Sequence, residues 1–141
     1  MKKTPTSQAP AQSKPESKPD ERALSWAGDE FVGTVGRHTG RLQMRWLRTG
    51  NTLTIQTLAY WFTYVRDRDH ANINITVKAN AGGEYKLNSP DEMQQRGLWI
   101  TWDTNKTLTV GNSTQFSANI EFIPDTGGID DRVNVSKTYA I

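Results

Sequence analysis

Cysteine is absent from all 141 residues. That excludes disulfides, thiolate chemistry and zinc–cysteine centres. Long apolar runs are missing as well; none approaches the roughly 20 residues a helix needs to cross a bilayer. After Met1-Lys2-Lys3 the chain reads TPTSQAPAQSKPESKP, with none of the apolar stretch that a secretory signal requires. A cytoplasmic or virion location is therefore expected. No segment carries a sustained helical period. Net charge is scarce at +2, and the first 22 residues hold all of it. Lys2, Lys3, Lys14, Lys18 and Arg22 stand there against Glu16, Asp20 and Glu21, while the remaining twelve basic and twelve acidic residues cancel. Nucleic-acid binders draw most of their affinity from neutralising phosphates. An arm this weakly basic gives no strong nucleic-acid signal.

What the chain does have divides at about residue 22. Residues 1–22 are Pro, Ser, Lys, Gln and Glu, too polar to offset the entropy of ordering, and are expected to form a disordered arm. The segment ALSWAGDEFVG brings the first anchors, Leu24, Trp26, Phe31 and Val32, and opens a single domain over 23–141. From there period-two alternation dominates. RLQMRWL sets Leu42, Met44 and Trp46 on one face and Arg41, Gln43 and Arg45 on the other. Gly50-Asn51 suits a tight hairpin turn. ANINITVKA puts Ile73, Ile75, Val77 and Ala79 inward, and QFSANIEFI does the same with Phe116, Ala118, Ile120 and Phe122. LWITW places Leu98, Ile100 and Trp102 on one face, followed by DTNK as a turn. Ser89-Pro90-Asp91-Glu92 has the composition of a short helical turn. Eight or nine short strands with regular turn signals predict an all-β fold, a β-sandwich of jelly-roll or Greek-key kind.

One stretch breaks the alternation. Residues 53–66 read as a continuous strand of roughly 46 Å at about 3.3 Å per residue. A domain of this length is only roughly 35 Å across, so the strand must bend, bulge or project. Without a bulge, Leu53, Ile55, Ala59, Trp61 and Val65 share the core face, and Leu58, Tyr60, Phe62 and Tyr64 form an outer ladder. A bulge near Gln56-Thr57 flips the phase and sends Leu58, Tyr60, Phe62 and Tyr64 inward, leaving Trp61 and Val65 outside. The bulged register buries more apolar area. In either register aromatic surface is left for something to cover: the chain's own ALSWAGDEFV or PDEMQQRG segments, a second subunit, or a sugar ring.

Candidate chemistry is thin. Asp67, Asp69 and His70 in RDRDH have acid–base or cation-binding groups, but the cluster reads first as a solvated loop. Asp125, Asp130 and Asp131 in DTGGIDD lack the spacing of a calcium loop and suit a turn. Arg41 and Arg45, with Arg37, His38 and Arg48 nearby, form a basic stripe that could meet an acidic partner or simply blunt an edge strand. Sequons at Asn74, Asn105, Asn112 and Asn134 fit Asn/Thr-rich strands. Nothing suggests a nucleophile, a metal or a cofactor. The expected role is non-enzymatic and structural: a phage or viral capsid or appendage component making contacts to its own copies or to other virion proteins. Tyr60, Trp61, Phe62, Tyr64, Arg41 and Arg45 are the expected contact residues. The alternative is a carbohydrate-binding, lectin-like module in which Tyr60, Trp61, Tyr64 or Trp99 stacks on a glycan. An interfacial membrane anchor built from the same aromatics is a third, weaker reading.

Overall fold

A computed structural model describes residues 25–141; the expected arm at 1–22 and the anchor Leu24 lie outside the described residues. Eight strands follow one another: β1 (Ala27–Val35), β2 (His38–Thr49), β3 (Thr52–Phe62), β4 (Asn72–Ala79), β5 (Glu84–Asn88), β6 (Ile100–Thr109), β7 (Gln115–Ile123) and β8 (Val133–Ala140). They form two four-stranded antiparallel sheets, ordered β1-β2-β3-β6 and β5-β4-β7-β8. β6 returns to lie beside β3 and β7 beside β4, so the chain crosses between the layers in a Greek-key manner. The fold is the expected β-sandwich.

The core follows the period-two pattern. Leu42, Met44 and Trp46 of β2 face Ile73, Ile75 and Val77 of β4 and Phe116, Ala118, Ile120 and Phe122 of β7, all buried. Gly33 and Gly40 pair directly across β1 and β2. Together they leave a slot in the first sheet that seats the Phe122 ring of the second. A Cβ at Gly40 would come within 2.6 Å of Phe122 Cγ, and one at Gly33 within 3.1 Å of Phe122 Cδ2. Trp46, Phe116 and Tyr139 stack at the other end of the interior, with centroids 4.3–5.4 Å apart.

β3 carries the bulge that its length demanded, one residue later than expected. Gln43 pairs with Ala59 and Met44 with Thr57, so Leu58 is the extra residue against β2. On the other side of β3, Thr57 pairs with Thr104 and Ala59 with Thr101, which leaves Trp102 and Asp103 of β6 without partner residues in β3. Two strands therefore bulge at the same level. Thr57 faces the core there. Its hydroxyl donates to the Trp102 carbonyl at 2.5 Å and lies 2.8 Å from Thr104 Oγ1.

Three sequence expectations are corrected. DTNK is not a turn: residues 103–106 continue β6 through its bulge to Thr109. Residues 89–92 form no helix. Ser89 Oγ instead accepts the amide of Ile73, tying the connection to the start of β4. Leu98 does not share the inward face of Ile100 and Trp102; it is 64% exposed, ahead of the strand.

One flank of the sandwich is tied shut and the other is open. On the β1–β8 side, Asp29 accepts the Tyr139 hydroxyl at 2.5 Å and Lys137 Nζ at 3.1 Å, and Lys137 also donates to the Glu30 carbonyl. The Tyr139 hydroxyl, and after it the Glu30 amide and Lys137, hold the Asp29 carboxyl below the usual carboxylate range. Burial, then the bond to Asp29, pushes Tyr139 up. On the β5–β6 side, Tyr85, Leu87, Ile100 and Trp102 are only partly covered.

Candidate functional site

The two outer faces of the sandwich differ in kind. On the second sheet the outward positions are Asn74, Thr76 and Lys78 of β4, Ser117, Asn119 and Glu121 of β7, and Asn134, Ser136 and Thr138 of β8, with Glu84, Lys86 and Asn88 at the β5 edge. Apart from Ile123, which ends β7 in the same phase but is buried, the face has no large apolar side chain. Its polar residues bond to one another: Asn74 to Glu121 at 3.0 Å, and Asn119 to Asn134 and Ser136 at 2.9 and 2.7 Å. Such a face is at home in water.

The first sheet presents aromatics and arginines. Across its strands one row reads Val32, Arg41 and Trp61, and Trp99 extends it just before β6. Arg41 is fixed by Glu30, with Nε and Nη2 at 2.7 and 2.6 Å from one carboxylate oxygen. Its guanidinium lies over the rings of Trp99 and Trp61, 4.9 and 5.9 Å from their centroids. A second row reads Gly28, Arg45, Gln56 and Asn105. Arg45 Nε donates to Gln56 Oε1 at 2.7 Å, Gln56 Nε2 donates to Asn105 Oδ1 at 3.1 Å, and the Arg45 guanidinium sits 4.4 Å from the centroid of Trp26. Between the rows the double bulge opens a shallow groove of about 320 Å³, lined by Arg45, Gln56, Thr57, Leu58, Asp103, Thr104 and Asn105.

Of the expected contact residues, four are at the surface and two are not. Arg41, Arg45 and Trp61 stand on the outer face, half-buried by one another and by their strands. Tyr64 is 56% exposed, beyond the end of β3 and beside Gly97. Tyr60 and Phe62, 3% and 1% exposed, belong to the interior, where Phe62 meets Phe122 edge-on and Tyr60 meets Trp102. The bulge is the cause: it moves them inward and turns Trp61 outward. Burial raises the Tyr60 hydroxyl above its ordinary range. The same register leaves Leu58 and Tyr64 out of the core positions that a bulge at Gln56-Thr57 would give them. Asp103 and Gln56, which line the groove, have no binding signal in the sequence, because polar residues on a Thr/Asn-rich strand carry no distinguishing pattern.

The charged clusters gather at the end of the sandwich where the longer connections lie. Arg96 holds Asp69 through both terminal nitrogens, at 2.8 and 3.0 Å. Gln95, fully buried, donates to the carbonyls of Arg68 and Asp125 and accepts the amide of Asp125, so one side chain joins three connections. Asp125 accepts the amides of His70 and Gly127, and Asp130 accepts that of Thr126. His70 Nδ1 lies 2.7 Å from the Asp91 carbonyl, a contact that raises its pKa. These carboxylates are turn and loop fasteners. Among the described residues no three His, Asp or Glu side chains lie close enough to hold a metal ion, and no helix is long and apolar enough to cross a membrane.

The chain matches no family model, and neither a curated protein nor a solved structure matches it.

Proposed function

We propose that this chain is a non-enzymatic structural protein, a component of a phage or viral capsid or appendage, and that it assembles through the outer face of the β1-β2-β3-β6 sheet. The contrast between the two outer faces carries this reading. One is a lattice of Asn, Thr, Ser and scattered Lys and Glu with no large exposed apolar side chain; the other sets Trp61, Trp99, Trp26 and Val32 among two arginines. Trp and Arg are the residues that dominate the energy of protein–protein contacts, and an apolar patch rimmed by polar groups is the usual mark of one. The guanidinium positions favour a protein over a sugar, because Arg41 and Arg45 already lie over the rings on which a pyranose would stack.

The carbohydrate-binding reading keeps one observation in its favour. The groove at the bulge combines Arg45 and Asn105 as donors with Asp103 as an acceptor, a set suited to vicinal hydroxyls. Light scattering of the full chain across a concentration series separates the two. Assembly predicts a mass above the monomer that falls when Trp61 and Trp99 are both replaced by serine, and not when Asn74 and Thr76 are replaced by serine. A strict monomer at high concentration, or an oligomer indifferent to W61S/W99S, removes the assembly reading. Binding on a glycan array with quenching of tryptophan fluorescence would put the sugar reading in its place.

A further inference from the structure

Resting on that reading, we propose that the occupant of this face is a second copy of the same chain, docked about a two-fold axis that runs along β3 and lies in the plane of the interface. Two charges on the face carry the inference. Arg45 gives its Nε to Gln56, and its terminal nitrogens have no acceptor among the described residues. Asp103, exposed at the β6 bulge, makes neither a hydrogen bond nor an ion pair among the described residues. Both line the same groove yet do not meet. β2 and β6 stand two strand spacings apart with β3 between them, a gap of about 9 to 10 Å.

A two-fold along β3 exchanges the β2 side of one copy for the β6 side of the other. It sets Arg45 over Asn105 of the second copy, two residues along β6 from Asp103 and within the reach of an arginine side chain, twice per dimer. The same operation sets Arg41 against the second copy's Trp99 and places Trp61 on the axis against its own equivalent. One operation thus accounts for the unpaired cation, the unpaired anion and the exposed indoles together. The face also carries two carboxylates, Glu30 and Asp103, to its two guanidinia, so it does not repel its own copy as a purely basic stripe would. An isologous contact of this kind closes on itself as a dimer.

Sedimentation velocity of the full chain tests this with charge reversals. Arg45→Asp and Asp103→Arg should each weaken the dimer at least roughly tenfold, because each sets like charges together across the interface. The double variant R45D/D103R should restore it, since the pair is re-formed with its signs exchanged. Both residues are at the surface, and an unchanged far-ultraviolet circular dichroism spectrum with a cooperative melt shows that each variant still folds, the melt itself falling only by the stabilisation that the dimer contact supplies. A dimer lost in W61S/W99S but indifferent to both reversals, an oligomer of another order, or a double variant no better than the singles overturns this pairing and leaves the assembly reading standing. A wild-type monomer, or a dimer indifferent to W61S/W99S, overturns both.

Discussion

The double bulge makes Thr57 the most informative single position in the interior. Its hydroxyl is buried and donates to the carbonyl of Trp102, a residue with no partner on β3. One hydroxyl has one proton, so the 2.8 Å contact with Thr104 must be donated by Thr104. The result is a two-step relay, Thr104 to Thr57 to the Trp102 carbonyl. Thr57→Val keeps the shape and removes the relay's centre. An orphaned acceptor here costs about 1–3 kcal/mol, against a gain of about 0.8 kcal/mol for the added apolar group, leaving a net loss of about 0.2–2 kcal/mol. For a domain of this size that lowers Tm by roughly 1–9 °C. Thr104→Val removes the donor to a hydroxyl that keeps its other bond, and with it the acceptor of a long 3.4 Å bond from the Thr57 amide, and should cost about 0.5–1.5 kcal/mol. Because the two hydroxyls share one bond, the double variant should cost less than the sum of the singles. Thermal and urea melts of the three variants check this. A T57V protein more stable than the parent, or single-variant costs that add in full in the double variant, would refute the claim that the bulge is held by its hydrogen bonds rather than by packing.

Other expectations follow from the interior and the seams. Gly40→Ala drives a methyl into the Phe122 ring and should cost about 1–3 kcal/mol in urea melts, with partial recovery when Phe122 is also shortened to Leu. Gln95→Leu leaves two carbonyls and one amide unpaired under the loops, and should cost about 3 kcal/mol while speeding hydrogen exchange at residues 65–71 and 124–127 more than in the sheets. Asp29 has a lowered pKa, so its contribution is present above the ordinary value of 3.8 and is lost as pH falls through the lower folded value; Asp29→Asn should flatten that part of the acid melting curve. Tyr139 and Tyr85 have raised pKa values, so stability should fall as pH rises past 10.0, and Tyr139→Phe should reduce that loss.

Alternation made most of the sandwich legible in the sequence. Leu42, Met44 and Trp46, Ile73 through Ala79, and Phe116 through Phe122 are buried as their spacing predicts, because on a half-buried strand burial and phase are the same information. The length of residues 53–66 showed that β3 could not run straight, and the surplus of aromatics favoured the register that takes Tyr60 and Phe62 inside. The bulge lay one residue off because its position depends on what faces it: Thr57 is polar by type, but at this level the Trp102 carbonyl needs a donor. DTNK misled for the same reason. Its Asp and Asn are turn formers locally, yet pairing of Thr104, Asn105 and Lys106 with β3 outweighs that preference. The site was half legible. Arg41, Arg45 and Trp61 could be placed on an outer face from phase alone, whereas Trp99 and Asp103 join them only through the non-local pairing of β3 with β6.

The edges of the sandwich sharpen the case for assembly through a face. β6 is a long edge strand, and a bare edge is where β proteins pair without control. Three features oppose that here. The bulge at Trp102 and Asp103 interrupts the ladder; Asp103 and Lys106 place charge along the edge; and Lys106, paired with the buried Ile55, points a cation toward the inner side of the sheet, where a neighbouring strand would have to bury it. The β5 edge is five residues long and bears Glu84 and Lys86, while β1 and β8 are joined through Asp29, Lys137 and Tyr139. Each route to strand addition is thus obstructed by charge, brevity or a tie to the other sheet. The second sheet's outer face has no large exposed apolar side chain and bonds part of itself through Asn74, Asn119, Glu121, Asn134 and Ser136. What remains with apolar area to lose is the Trp61, Trp99 and Arg45 face. Contact there, as proposed, would leave both sheets intact, so docked copies would separate without unfolding.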